Sequence, residues 1–117
     1  MYEYIDGNGN KYIIKNEDKL ILEYIPIKPE LSSSGVYSGG DYIRKEISRQ
    51  ELNKLESIFN QAVNKKEIHI KKRLKMSGMI IIQGINKKKT YIIGPNSKEL
   101  SEIEKILRSM INTFTSF

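Results

Sequence analysis

Three short apolar segments, joined by turn sequences of only a few residues, occupy the first 27 residues and limit the folds that this chain can adopt. Asp6-Gly7-Asn8-Gly9-Asn10 separates the first two segments, and glycine and asparagine tolerate the positive φ angles that hairpin turns need. Links this short join antiparallel strands, because a parallel crossover needs a dozen residues or more. The pattern therefore predicts antiparallel strands at Tyr2–Ile5, Lys11–Lys15 and Leu20–Ile27.

Two later segments have the spacing of amphipathic helices. Ser48 and Glu51 form a capping-box pattern ahead of an apolar stripe, which predicts a helix that ends near Asn64. A second helix is predicted to begin at Asn96 or Ser97, and Asn96 again lies three residues before a glutamate. Each helix has one apolar stripe, so we expect both to pack on one face of the sheet. The stripes contain Leu52, Leu55, Phe59, Ala62 and Val63 in the first helix, and Leu100, Ile103, Leu107, Met110, Ile111 and Phe114 in the second.

The remaining apolar stretches are predicted to add strands to this sheet. Tyr42–Ile47 leads into the first helix, and Glu67–Met76, which follows that helix, alternates apolar with basic residues. Met79–Ile85 is apolar on both faces, which is typical of a central strand, and Thr90–Ile93 comes after it. The element order is therefore β-β-β-loop-β-α-β-β-β-α. This order predicts one α+β domain over residues 1–117, with an antiparallel sheet of about six to seven strands and both helices on one face.

The chain has no cysteine and one histidine, His69, which narrows the chemistry available to it. A disulfide scaffold, a thiolate metal site and a cysteine nucleophile are excluded, and we predict no metal site and no cofactor. The longest aliphatic run, Met79-Ile80-Ile81-Ile82, is far shorter than the roughly 20 residues of a membrane-spanning helix. The first residues lack the basic and apolar regions of a signal peptide. We therefore expect a cytoplasmic protein that does not bind membranes.

The positive charge of the chain is concentrated in one segment. The chain has 20 basic and 14 acidic residues, for a net charge of +6. Between Lys65 and Lys89 there are nine basic residues against one acid, Glu67. A composition rich in lysine and isoleucine accounts for part of this basicity as solvated surface, and lysines also protect sheet edges from aggregation. The clustering, in contrast, favours an anionic partner.

The predicted strand at Glu67–Met76 would arrange part of this segment as a basic face. Lys71, Arg73 and Lys75 alternate along it, about 7 Å apart at a strand rise of about 3.3 Å per residue, which is close to a multiple of the phosphate spacing along a nucleic acid strand. Three consecutive lysines follow after the next predicted strand. The candidate anion or nucleic-acid patch comprises His69, Lys71, Arg73, Lys75, Lys87, Lys88 and Lys89.

A stretch rich in serine and glycine precedes the fourth predicted strand. Its backbone amides and hydroxyls could hold a phosphate, a carboxylate or a partner protein, but no known phosphate-binding fingerprint is present. A flexible connection is the alternative interpretation, and a catalytic serine is a third. The candidate ligand or partner loop comprises Ser32, Ser33, Ser34, Gly35, Tyr37, Ser38, Gly39 and Gly40.

The predicted order from the first helix to the last, α-β-β-β-α, is similar to that of double-stranded-RNA-binding domains. In that family, lysines at the start of the final helix contact phosphates. The corresponding start here, Ser97-Lys98-Glu99-Leu100-Ser101-Glu102, is acidic apart from Lys98 and departs from that pattern.

The function hypotheses follow from what the chain lacks and from where its charge lies. The sequence shows no nucleophile–base pair, no metal-ligand set and no cofactor fingerprint, which favours a non-enzymatic binding or regulatory module. Its expected partner is another protein or a second copy of itself. The alternative is nucleic-acid binding through the basic strand face, and a small enzyme that uses the serine-glycine loop and His69 comes third. If the basic strand face is open it would be a docking surface, whereas a helix over it would make it structural.

Overall fold

The computed structural model describes residues 1–27, 42–72 and 76–112. Within these residues it has six strands and two α-helices, and the predicted α+β class is confirmed. No helix in this part of the chain is long and apolar enough to cross a membrane. The strands are β1 (Tyr2–Ile5), β2 (Lys11–Asn16), β3 (Leu20–Ile25), β4 (Ile43–Glu46), β5 (Gly78–Gln83) and β6 (Lys88–Ile93), and the helices are α1 (Arg49–Asn64) and α2 (Lys98–Asn112).

The six strands form one sheet in the order β4-β3-β2-β1-β5-β6, and every neighbouring pair is antiparallel. The first three strands form a meander with short turns. The β5–β6 hairpin then pairs with the other edge of β1, so β1 lies inside the sheet although it comes first in the sequence. Strand β5 lies between β1 and β6, which agrees with its apolar side chains on both faces.

The turn between β1 and β2 is held by one carboxylate. Oδ1 of Asp6 accepts hydrogen bonds from the backbone N–H groups of Asn8 and Asn10, each at 2.9 Å. Asn10 in turn accepts a bond from the backbone N–H of Ile27 at 2.9 Å, which ties the end of β3 to this turn. The turn sequence thus closes the hairpin through local side-chain bonds, as aspartate and asparagine commonly do.

The segment between α1 and β5 corrects the prediction of a strand at Glu67–Met76. Lys66–Ile68 form a 3₁₀ turn, and His69 makes a single bridge to Ile93. Residues 73–75 lie outside the described residues. The His69 ring contacts the end of α1, and the described part of the segment bonds to the sheet at the end of β6, where the backbone N–H of Ile70 donates to the Ile92 carbonyl at 2.9 Å. Between the helices the described chain therefore has one 3₁₀ turn and two strands, and the order expected of a double-stranded-RNA-binding domain is not present.

Both helices begin at residues that the sequence indicated. Ser48 and Glu51 make both bonds of the capping box, at 3.1 Å and 2.9 Å. The second helix is capped by Ser97, whose hydroxyl accepts from the backbone N–H of Leu100 at 3.2 Å. Ser97, rather than Asn96, is therefore the capping residue.

Both helices contribute their apolar stripes to one core with the sheet. Tyr24, Tyr12 and Tyr4 are direct neighbours across β3, β2 and β1, with ring centroids 4.9 Å and 6.1 Å apart. The Tyr4 hydroxyl donates to Glu104 of α2 at 2.6 Å, and burial raises the pKa of Tyr4 and Tyr12. These rings belong to the core, so they are not available to stack on bases. The buried helix residues include Leu52, Leu55, Phe59, Ala62, Leu100, Ile103, Leu107 and Met110.

Candidate functional site

The side of the sheet opposite the helices, named the open face here, has no helix or strand packed on it among the described residues. Side chains alternate along a strand, so positions between core residues point to this side. Lys45 donates to the Met110 carbonyl on α2, which places its neighbours Arg44 and Glu46 on the other side. The open face comprises Arg44 and Glu46 of β4; Ile21, Glu23 and Ile25 of β3; Lys11, Ile13 and Lys15 of β2; Glu3 and Ile5 of β1; Met79, Ile81 and Gln83 of β5; and Lys88, Thr90 and Ile92 of β6.

Two isoleucines confirm that this side is separate from the core under the helices. Ile21 and Ile81 are each 7% exposed, yet neither belongs to the apolar cluster that the helices cover. They lie on β3 and β5, strands that have a neighbour on each side. Because both side chains are buried, the accessible apolar surface of the open face lies at its other positions.

A row of apolar side chains crosses the open face at one end of the strands. The register places Ile25 opposite Lys11, Lys11 opposite Ile5, Ile5 opposite Met79, and Met79 opposite Ile92. Ile25 is 37% exposed and the other three apolar members are half-buried. Lys11 is the one charged side chain in this row, and its aliphatic stem can lie along its apolar neighbours.

Tyr42 extends this row beyond Ile25. It directly precedes β4, its side chain is 54% exposed, and its hydroxyl donates to Glu23 of the open face. Glu23 also forms an ion pair with Lys15 at 2.7 Å. The hydrogen bonds from Lys15 and Tyr42 lower the pKa of the Glu23 carboxyl, so this acceptor is ionised at neutral pH. The carboxylate thus binds the hydroxyl end of an exposed aromatic ring. Together the apolar row comprises Tyr42, Ile25, Ile5, Met79 and Ile92.

Charges of both signs surround the apolar row. The open face has three acidic and four basic side chains, for a net charge of +1 in a chain of net charge +6. Most of the positive excess therefore lies elsewhere on the molecule. The acids are Glu3, Glu23 and Glu46, and the basic residues are Lys11, Lys15, Arg44 and Lys88.

His69 lies in a segment whose described residues form no strand, and the basic patch itself stays a prediction. Its Nε2 lies 2.8 Å from the carbonyl oxygen of Ala62 at the end of α1, and its ring centroid lies 5.4 Å from that of Tyr91. The half-buried ring thus links the segment after α1 to the helix and to β6. Lys71 and Lys72 follow it and are exposed.

The lysines at the β5–β6 turn form a separate group. Lys88 points to the open face, whereas Lys89 lies opposite Ile82 on the helix side. At about 3.3 Å per residue, Lys88 is about 16 Å along β6 from Ile93, the bridge partner of His69. Lys87, Lys88 and Lys89 are all exposed, but they do not extend one flat surface from His69.

Two sets of predicted site residues lie outside the described residues. One set is Arg73 and Lys75 of the basic patch, and the other is the whole serine-glycine loop from Ser32 to Gly40. Their roles in binding an anion, a ligand or a partner stay predictions.

A polar pocket of about 640 Å³ lies where the end of α1 meets the start of α2. Lys65 donates to both carboxylate oxygens of Glu99, at 3.0 Å and 3.2 Å. This hydrogen bond lowers the pKa of Glu99, whose carboxylate is already paired and is not poised as an acid. The described residues contain no group of three or more histidines or acids that could hold a metal ion. The pocket is lined by Gln61, Asn64, Lys65, Lys66, Glu67 and Glu99.

The open face was not among the sites predicted from the sequence. The signal was present in strands with apolar residues at alternate positions on both sides, such as Ile13 beside Ile14 in β2. That pattern predicts burial on two faces, but the described helices cover one. No protein-family model, no curated protein and no solved structure matches this chain. We therefore infer function from the surface chemistry of the chain itself.

Proposed function

We propose that this chain is a non-enzymatic interaction module that associates with a second copy of itself through the open face. The observation that carries the proposal is the apolar row, which crosses a sheet face that no described helix covers. Contiguous apolar surface rimmed by polar groups is typical of protein–protein contact sites. Tyrosine and arginine are enriched in such sites; Tyr42 in the row and Arg44 next to it are both exposed.

The charge of the open face favours a second copy over other partners. A two-fold interface brings the same patch from both copies together, so the patch must complement itself. A face with acids and bases interspersed meets this condition. A face with only positive charges would instead favour a nucleic acid or an acidic protein.

The size of the open face sets the expected strength of association. Six strands have five spacings of about 4.8 Å, and strands of up to six residues are about 20 Å long. The face therefore offers a footprint on the order of 500 Å², against about 800 Å² per partner in a standard stable interface. We expect a weak dimer that dissociates on dilution.

The test is sedimentation equilibrium of the wild type and of a matched pair of aspartate variants. Ile25→Asp places a carboxylate in the apolar row, whereas Ile85→Asp changes a fully exposed isoleucine at the β5–β6 turn. We expect Ile25→Asp to raise the dimer dissociation constant at least about tenfold, which corresponds to roughly 1.4 kcal/mol, and Ile85→Asp to leave it unchanged. Circular dichroism checks that both variants fold.

A wild type that stays monomeric up to millimolar concentration would overturn the proposal. An equal effect of the two aspartate variants would overturn it as well, because general loss of surface apolarity would then explain the result.

Nucleic-acid binding is the alternative that the exposed lysines favour. Lys87, Lys88 and Lys89 project at one hairpin end, and Lys71 and Lys72 are exposed nearby in the sequence. Such binding would weaken steeply with salt, with a slope of about −0.9 per phosphate contacted on duplex DNA. Salt-dependent retention of duplex DNA or RNA that is lost on reversing the charge of Lys87, Lys88 and Lys89 together would favour this alternative.

A further inference from the structure

The open face changes in polarity along the strand direction. The apolar row crosses it at the end nearest the β1–β2 turn. The middle of the face mixes charged and apolar side chains. At the opposite end, the side chains in register are mainly polar, and this set is named the polar row. The polar row contains Glu46, Ile21, Lys15, Gln83 and Lys88.

This gradient restricts how two open faces can meet around a two-fold axis. An axis that lies between the two sheets and runs across the strands reverses the order of the rows. It places the apolar row of one copy on the polar row of the other. Charged groups would then lose water without gaining partners, which is costly. Shifting that axis until only the apolar rows overlap leaves most of an already small footprint unused. An axis parallel to the strands keeps the apolar row of one copy over the apolar row of the other, and the polar row over the polar row.

The strand order then determines which strands face each other. Rotation about an axis that is parallel to the strands and runs between β1 and β2 places β4 over β6 of the second copy, β3 over β5, and β2 over β1. In the apolar row, Ile25 meets Met79 of the second copy, and Tyr42 meets Ile92. In the polar row, Glu46 meets Lys88 of the second copy.

Both members of that last contact are suited to an ion pair between copies. Glu46 and Lys88 are exposed, and neither takes part in an ion pair with another described residue. They lie at opposite edges of the sheet, so they are too far apart to pair within one copy. The two-fold axis would form the pair twice, once at each edge.

We infer that the dimer is an aligned sheet-on-sheet sandwich whose two-fold axis runs parallel to the strands, with Glu46 of each copy paired to Lys88 of the other. This inference rests on the proposed self-association. Aligned packing at about −30° with sheets about 10 Å apart is a common arrangement for two antiparallel sheets. The ion pairs select this orientation over the reversed one, because the reversed one leaves them unpaired.

Charge reversal tests the pair. We expect Glu46→Lys and Lys88→Glu each to raise the dimer dissociation constant about three- to tenfold, as surface ion pairs of modest energy would, and the double variant to return it to within about twofold of wild type. The two single variants change net charge in opposite directions, so a general charge effect cannot weaken both. Lys54→Glu on α1 is the matched control, because Lys54 is exposed on the helix side, and it should have no effect.

Cross-linking tests the orientation directly, because the chain has no cysteine of its own. Facing sheets are about 10 Å apart, beyond the reach of a disulfide, so a short bismaleimide is the probe. A mixture of Glu46→Cys and Lys88→Cys chains should give a cross-linked dimer that contains one of each. Either variant alone should not, because identical residues would lie about five strand spacings, or about 24 Å, apart.

The outcomes separate this inference from the proposed function. Dimerisation that Ile25→Asp abolishes, without rescue by the double charge reversal and without the mixed cross-link, would overturn the orientation and leave self-association standing. A monomeric wild type would overturn both. Cross-linking of Glu46→Cys to itself would also overturn the orientation, since it would place β4 on β4.

Discussion

The helix side of the sheet and the open face are built from neighbouring residues on the same strands, yet they differ in what completes them. On the helix side, Tyr4 and Tyr12 are buried, and the hydroxyl of Tyr4 reaches a carboxylate on α2. On the open face, the adjacent Ile5 and Ile13 are half-buried, and the hydroxyl of Tyr42 donates to Glu23 of the same sheet. Residue type alone does not distinguish the two faces. The difference shows that the packing of the helices decides which apolar residues of these strands enter the core of the monomer.

The largest expected effect tests the helix side. Phe59 of α1 is fully buried and stacks on Tyr2 with ring centroids 5.4 Å apart. Phe59→Ala should lower the free energy of unfolding by about 3–5 kcal/mol, because it leaves a cavity in a packed core. Urea denaturation measures this loss. Ile25→Ala on the open face should cost under about 1 kcal/mol in the monomer, and a similar cost at both positions would break the comparison.

Alanine substitution at two glycines compares a position packed against the core with an exposed one. At Gly78 of β5, an added Cβ would lie 2.6 Å from the Tyr4 hydroxyl oxygen and would collide with Leu100. At Gly84, just after β5, the nearest atom would be the Lys87 carbonyl oxygen at 3.8 Å. Gly78→Ala should therefore destabilise the fold by about 1–3 kcal/mol, as overpacking of a core does, while Gly84→Ala stays near neutral. Thermal unfolding compares the two, and equal midpoints would contradict the close packing of α2 on β5.

Removing one tyrosine hydroxyl from each face compares how much a single hydrogen bond stabilises the fold on either side of the sheet. Tyr4→Phe removes a hydrogen bond to Glu104 at the edge of the core and should cost about 1 kcal/mol. Tyr42→Phe removes the bond to Glu23 on the open face and should cost less, because Tyr42 is largely exposed and water can replace the donor. Chemical denaturation of both variants measures the difference. A larger loss for Tyr42→Phe would show that the open face is the more tightly coupled region.

The smallest expected effect is the acid dependence of Glu23. Hydrogen bonds from Lys15 and then Tyr42 hold the pKa of its carboxyl below the ordinary value of 4.5 in the folded chain. Folding is therefore stabilised above that value, and the contribution is lost as the pH falls through the lower pKa of the folded state. Glu23→Gln should remove this part of the stability loss below about pH 4.5, on the order of 1 kcal/mol or less. Unfolding curves measured between neutral and acidic pH give the difference, and an unchanged acid dependence in Glu23→Gln would contradict the pairing.

Local features of the fold were predictable from the sequence because neighbouring residues determine them. The capping box of Ser48 and Glu51 uses groups within one helical turn, and Asp6 closes its hairpin with amides two and four residues away. The segment after α1 was not predictable in the same way. Its alternation of apolar and basic residues is typical of a strand, but the contact of His69 with the end of α1 keeps most of its described part out of the sheet.

The sequence by itself predicted the six described strands, the two amphipathic helices and the antiparallel α+β class, together with one strand, at Glu67–Met76, that the described residues do not form. Only the tertiary structure decided that β1 lies between β2 and β5, since the β1–β5 pairing joins residues more than 70 positions apart. The same pairing decided the candidate site, because it brings Ile5 beside Met79 and so completes the apolar row. Strands that are apolar on both sides do not reveal which side the helices will cover. That choice depends on long-range packing, and no local pattern of residues contains it.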